Sequence, residues 1–277
     1  MMSGRTNNPG QSVTARVLSI LAVFEGTLVP QSLADISAKT GLAQSTAHRL
    51  LKELEEWGAL QRDARGRYQI GLRLWELGQN AGRQLREIAR PYLQDLFSLT
   101  QETVHIAIRD GADVLYIDRI YGTRRVPQAS RVGGRLPMHA TAVGKVILAY
   151  EEDWVRDSVL QGLLERRTAF THVDPALLRR ELEQVRQQGY AVTGEEVRLG
   201  SCSIAVPVFQ GTGEIGAGLG LVVATANAHR MERYLPAMRG IARRIETATA
   251  RIPLSTLQSA VRTKSLKTAR ANGGGTG

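Results

Sequence analysis

Apolar positions along the chain change period as it proceeds, and the changes mark out its parts. Over residues 12–25, Val13, Val17, Ile20, Leu21 and Phe24 recur at helical spacing, and Gly26 and Pro30 close that helix. Ser32-Leu-Ala-Asp35 has the form of a capping box opening a second, short helix through Thr40, with Leu33 and Ile36 on its apolar side. Gly41 fits the position just past its end. A third helix starts near Gln44, two or three residues later, so the pattern predicts a helix-turn-helix. On a wheel of Gln44 to Trp57, Ala47, Leu50, Leu51, Leu54 and Trp57 share one face, and Ser45, His48, Arg49 and Lys52 share the opposite one. Residues 59–70 then predict a β-hairpin, with Leu60 and Tyr68-Gln-Ile70 flanking the turn Asp63–Gly66.

Leu72, Trp75, Leu77, Leu85 and Ile88 give a helical connector, and Pro91 fits the first turn of a further helix to Thr100. From Val104 the period falls to two. The runs 104–109 and 114–120 predict strands joined at Asp110-Gly111, and residues 131–138 read as a Gly/Pro loop. A helix is expected from about Thr141 to Tyr150. Another is opened by Asp174-Pro175 and ended by Gly189. Tyr190–Val192 starts a strand, residues 203–209 and 215–225 form a strand pair, and a last helix runs from about Ala228 to Arg251. The plan is α+β, an antiparallel sheet flanked by helices. The expected domains are 10–71, a helical linker 72–90, a second domain 91–251, and a tail 252–277.

Charge sharpens the reading of the first domain. The chain has 277 residues, 43% hydrophobic and 22% charged, with a net charge of +10. Half of that charge sits in the last 27 residues, which hold five basic and no acidic groups; this stretch is expected to be a solvated, disordered end. The third helix is more informative. Its N-terminal half offers Gln44, Ser45, Thr46, His48, Arg49 and Lys52, and its C-terminal half Glu53, Glu55 and Glu56. Such a helix enters a DNA major groove N-terminus first, in the direction its dipole also favours. There Arg49 can fork onto guanine and Gln44 onto adenine. Arg62, Arg65 and Arg67 stand at or near the hairpin tip, where a wing touches the phosphate backbone or minor groove. A single recognition helix reads only a few base pairs, so a homodimer on a palindromic operator in double-stranded DNA is expected.

Several classes are disfavoured. No apolar run approaches the length that spans a membrane, and the first dozen residues show no secretory pattern. The single cysteine, Cys202, excludes an intramolecular disulfide and a cysteine-based zinc cluster, and a cytoplasmic location is expected. Gly211–Gly216 spells G-x-G-x-x-G, but a β run follows where a dinucleotide site needs a helix, so these glycines read as a hairpin turn. The five histidines lack metal-ligand spacing, so no metal or cofactor is expected. Asp110, Asp113 and Asp118 read as turn and surface groups. With no phosphate loop, nucleophile elbow or acid pair, a regulator is favoured over the alternative, an enzyme with an appended DNA-binding domain.

Residues 11–78 resemble the winged helix-turn-helix of the IclR family of bacterial transcription regulators, through QSVTARVLSILAVFE, SLADISAKTGLAQSTAHRLLKELEEWGAL and GRYQIGLRLWELG. GGRLPMHATAVGKVILA (133–149) and GYAVTGEEVRLGSCSIAVPVF (189–209) resemble that family's effector domain. The resemblance implies a GAF-like fold holding a small organic or aromatic metabolite, in a dimer or a dimer of dimers, and more often repression than activation. It implies effector contacts at Met138, Ala142, Val143, Thr193, Cys202, Ser203, Gly220 and Val222. At four points this chain departs from the family pattern. Thr193 stands where an acid is usual, Ser203 where a cysteine is usual with Cys202 one earlier, and Gly220 and Val222 where two serines are usual. The implied pocket is roomier at Gly220 and more apolar at Val222, which suits a bulkier effector than the smallest polar acids.

Overall fold

The computed structural model describes residues 11–25, 27, 29–80, 83–122 and 130–250; Gly26 and the basic tail lie outside them. The chain forms two compact units, one up to Ala81 and one from Gly82.

The first unit runs α1 (Val13–Ala22), α2 (Leu33–Thr40), α3 (Gln44–Glu56), β1 (Leu60–Arg62), β2 (Tyr68–Ile70) and α4 (Leu72–Asn80). Its local signals work as read. The Ser32 and Asp35 side chains cap α2 reciprocally, and Gly41 ends it at φ 68°, a left-handed conformation open to glycine. Ile20, Ile36, Leu50, Leu51 and Tyr68 are buried together, so α3 is fixed by its apolar stripe and leaves its polar face outward. Trp57 departs from that stripe. It is 44% exposed at the end of α3, with the Arg73 guanidinium stacked 4.6 Å from its ring centroid. The hairpin is tied to the helices by Gln31, which exchanges both backbone hydrogen bonds with Tyr68 at 2.8 Å.

The second unit runs α5 (Arg83–Thr100), β3 (Thr103–Asp110), β4 (Asp113–Ile120), β5 (Arg135–Pro137), a 3-10 turn (Met138–Ala140), α6 (Ala142–Tyr150), α7 (Asp153–Leu160), α8 (Pro175–Gln188), β6 (Ala191–Gly194), β7 (Ser201–Phe209), β8 (Ile215–Ala224), a 3-10 stretch (Thr225–Tyr234) and α9 (Leu235–Thr249). The sheet is antiparallel in the order β5-β4-β3-β8-β7-β6. Helices α5 and α9 pack on one face, and α6, backed by α8, packs on the other.

Four elements differ from the pattern-based reading. Helix α5 continues through Pro91 instead of starting there: the stripe Leu85, Ala89, Leu93 and Leu96 is fully buried, and its packing outweighs the lost backbone hydrogen bond. A short edge strand, β5, lies within the expected loop 131–138. Helix α7 was not expected; it buries only Val155, Val159 and Leu160, too narrow a stripe to show. The last helix begins at Leu235, after ten residues of 3-10 conformation.

Candidate nucleic-acid interface and effector cavity

In the first unit, Gln44, Ser45, His48, Arg49 and Lys52 are exposed and Thr46 is half-buried along one face of α3. No side chain caps the first turn, because Ala43 stands at the cap position. The amides there are free of the usual side-chain acceptor, a ready site for an anion. The charge split predicted for α3 closes on itself: Arg49 pairs with Glu53 at 3.2 Å and Lys52 with Glu56 at 3.6 Å, both pairs exposed. The three hairpin arginines are not equivalent. Arg62 is held back against α3, bonding Glu55 at 3.0 Å and the Tyr68 hydroxyl at 2.7 Å. Arg67 pairs with Asp63 at 2.8 Å. Asp63 also accepts from the Arg65 and Arg67 amides, and the bond from Arg67 is the largest cause holding its carboxyl below the ordinary value. Arg65 is exposed at the tip, where its guanidinium has no ion-pair partner among the described residues.

The second unit contains a cavity between the sheet and the N-terminus of α6, open to solvent at its mouth. Pairing across the sheet sets its walls. Thr193 opposes Ser203, and Ser203 opposes Val222, so the three form one row, and all three line the cavity. Ala142 and Val143 line it from α6, where Thr141 caps the helix through the Gly144 amide at 3.1 Å. Five of the eight expected effector residues are thus brought together.

The other three are not. Met138 is fully buried in the core behind the cavity rather than on its wall. Cys202 faces the opposite side of the sheet, in the core shared with α5 and α9, because consecutive strand residues point to opposite faces. Gly220 belongs to the next row, Ala205–Gly220–His105–Arg119, and the room expected over it is occupied. A Cβ there would lie 2.3 Å from His105 Nε2 and 2.8 Å from Val143 Cγ1.

The cavity also has polar walls that the sequence reading missed. His105, Tyr116 and Arg119 line it from β3 and β4. The His105 and Tyr116 rings meet edge to face at 5.0 Å. Burial, with a smaller push from Arg119, takes His105 down to about 3, so it is neutral at physiological pH, and burial pushes the Tyr116 hydroxyl up. Tyr116 and Arg119 share a face only because the β3–β4 register slips, leaving Ile117 unpaired between Asp118, opposite Ile106, and Tyr116, opposite Ala107. The same bulge turns Asp118 to the other face. Contrary to its reading as a surface group, Asp118 is buried and accepts from Arg90 at 3.0 Å, with Arg86 at 3.7 Å.

Glu196, on the segment after β6, completes the wall. Both its oxygens face the fully buried Lys145 Nζ, at 2.7 and 2.9 Å, and Glu181 takes the same ammonium at 2.6 Å. Burial raises the Glu196 carboxyl, and Lys145 opposes that rise. His172, Glu181 and Glu196 offer ligand atoms within 4.8 Å of one another, but the Lys145 ammonium already supplies the positive charge at the two carboxylates. Of the G-x-G-x-x-G stretch, Gly211–Glu214 lie in the β7–β8 turn, with Gly213 at φ 83°, and Ile215 and Gly216 begin β8.

Comparison with known proteins gives these two sites a common context. The model of the IclR helix-turn-helix domain matches residues 13–64, and that of the bacterial transcriptional regulator IclR C-terminal domain matches residues 80–247. The HTH-type transcriptional regulator XynR of Escherichia coli K12 is 36% identical over 78% of this chain and 88% of its own length. KdgR of the same strain is 32% identical over 77% of this chain and 83% of its own. Among solved structures, an IclR homologue from Microbacterium hydrocarbonoxydans in complex with 4-hydroxybenzoate superposes with a TM-score of 0.81 at 32% identity, covering 87% of this chain and 99% of that one. The Thermotoga maritima IclR gives 0.71 at 30% identity, covering 86% and 98%. These relatives are regulators, and none supports an enzyme with an appended DNA-binding domain. With a helix-turn-helix unit at one end and the effector-type sheet domain at the other, the chain belongs to the IclR family of bacterial transcriptional regulators.

Proposed function

We propose that the chain represses its target genes as a homodimer, or a dimer of dimers, on a palindromic operator, and that a small organic metabolite in the cavity of the second unit releases it. In this reading Gln44, Ser45, Thr46, His48, Arg49 and Lys52 meet the major groove, with Arg49 on a base edge. Arg65 reaches the phosphate backbone from the wing, and Arg62 and Arg67 chiefly hold the hairpin in shape. The DNA-binding part is 10–71, followed by the linker 72–90 and the effector part 91–251, and the protein works in the cytoplasm. Among the described residues no helix is long and apolar enough to cross a membrane.

The observation that carries the reading is the cavity itself, walled by Val143 and Val222 on its apolar side and by Thr193 and Ser203 on a polar one. It suits a compact molecule that packs an apolar body and presents a polar end. The 4-hydroxybenzoate bound by the Microbacterium homologue is of that kind.

Selection of a binding site from random duplexes, followed by footprinting and sedimentation, tests it. The expected site is two-fold symmetric, with half-sites about one helical turn or a multiple apart, bound by an even number of chains. An asymmetric site occupied by one chain would overturn the dimeric reading.

A further inference from the structure

A second pocket lies on the other side of the sheet, the side of α5 and α9. Val223 lines it, whereas its neighbour on β8, Val222, lines the effector cavity, because consecutive strand residues point to opposite faces. The two spaces are therefore separate. The outer wall of the second comes from the 3-10 stretch Thr225–Tyr234, and the period of that stretch sets what the wall presents. Three residues per turn bring side chains three apart into one row. One row, Ala228, Met231 and Tyr234, packs against the core. The row one position earlier, Asn227, Arg230 and Arg233, lines the pocket. In an α-helix these three would spread over about 120° around the axis and could not share one wall.

The row is made of donors: an amide and two guanidiniums, which stay charged at any physiological pH. Among the described residues, neither arginine is paired with an acid. Arg230 gives its Nε to His229 at 3.0 Å. Arg233 bonds the Tyr234 hydroxyl at 2.7 Å and lies over that ring at 4.7 Å. The acid of the same stretch, Glu232, belongs to the third row and accepts from the Tyr190 hydroxyl instead. Glu102, between α5 and β3, also lines the pocket, but it is buried and already engaged. The wall thus sets two guanidiniums against one carboxylate, on a turn built to align them.

We propose that this pocket is a second ligand site, for the phosphoryl group of a small molecule, held between Arg230 and Arg233 with Asn227 at the end of the row. Guanidiniums one 3-10 turn apart, about 6 Å along the axis, can take one tetrahedral group from two sides. A phosphoryl group offers three oxygens for this, whereas the two oxygens of a carboxylate are filled by a single guanidinium fork. The site is independent of the effector cavity and of what that cavity takes.

The test titrates the full chain with inorganic phosphate, glycerol 3-phosphate and glucose 6-phosphate, by calorimetry and thermal shift at matched ionic strength. Glycerol and glucose are the controls. At least one phosphoryl compound is expected to bind. If a monoester binds more tightly than inorganic phosphate, the occupant is a phosphorylated metabolite, with its unphosphorylated counterpart weaker on the order of tenfold or more. If inorganic phosphate binds as tightly or more so, the occupant is the free ion. Arg230→Gln and Arg233→Gln are at exposed positions and should each weaken binding on the order of tenfold, the usual loss with one charged hydrogen-bond partner. The double variant should abolish it. Arg49→Ala with Arg65→Ala removes the same charge from the other unit and should leave binding unchanged. No binding by any phosphoryl compound, wild-type binding in the Arg230→Gln, Arg233→Gln double variant, or an equal loss in the Arg49→Ala, Arg65→Ala control would each overturn the proposal.

Discussion

Gly220 and His105 are paired across neighbouring strands, and the imidazole fills the space that a side chain at 220 would occupy, with Nε2 only 2.3 Å from where its Cβ would be. The missing side chain on β8 is compensated by a large one on β3. Gly220→Ser is therefore expected to force the ring out of a fully packed position and destabilise the second unit by about 1–3 kcal/mol, the usual cost of overpacking. His105→Ala vacates that space, so the double variant should be more stable than the sum of the two single losses allows. Denaturant unfolding of the four proteins measures this. Additive losses would show that the two residues do not compete for one volume.

That pair also shows where sequence reading stops. Two-residue alternation is enough to place Thr193, Ser203 and Val222 in one row, since regular antiparallel pairing keeps opposed residues on the same face. Alternation equally implies that Cys202 and Ser203 cannot both reach one ligand, and Ser203 is the one that does. Arg119 is different. Counting by twos from Tyr116 puts Asp118 in the cavity and Arg119 outside it, and only the unpaired Ile117 reverses this. Nothing in the run 114–120 marks a bulge. The helix caps were legible because each depends on residues three or four apart, whereas the occupant of the space over Gly220 depends on a strand more than a hundred positions away.

Stability should fall in mild acid, with His105 a main cause. Its value is depressed from 6.5 to about 3 by burial, so below 6.5 the unfolded chain takes up a proton that the folded chain refuses. The contribution is complete above pH 6.5 and is lost as pH falls toward about 3, at up to about 1.4 kcal/mol per pH unit. His139, also depressed by burial, adds to the same window. His105→Gln removes one of the two groups, so its stability should fall less steeply between pH 6 and 4. Parallel curves for wild type and variant would show that His105 is solvated in the folded state.

Lys145 is expected to be the most sensitive charged position in the second unit. It is fully buried between Glu196 and Glu181, and its loss leaves the buried Glu196 without a counter-charge. Lys145→Met should destabilise by about 3–5 kcal/mol. Adding Glu196→Gln to Lys145→Met removes the stranded charge and should restore a substantial part of that loss. Chemical unfolding of the single and double variants reads the difference, and a double variant no more stable than Lys145→Met would show that the pair's charges are not what holds the site.

On the DNA side, the exposed Arg49–Glu53 pair decides how α3 behaves. An exposed i,i+4 pair contributes about 0.5 kcal/mol or less, while an arginine forked onto guanine discriminates by about 1–3 kcal/mol, so Arg49 should leave Glu53 on binding. Arg49→Ala is expected to weaken operator binding by about 1–3 kcal/mol and random duplex far less. Glu53→Gln, which frees Arg49 and removes a charge that repels phosphate, should tighten both slightly. Arg65, exposed at the wing tip without an ion-pair partner, should behave differently. Arg65→Ala is expected to weaken all sequences alike and to lower the salt slope by about one. Titrations of operator and random duplexes at several salt concentrations separate the two roles. If Arg49→Ala costs both duplexes equally, its guanidinium touches phosphate rather than a base, and sequence reading on α3 falls to Gln44, Ser45 and His48.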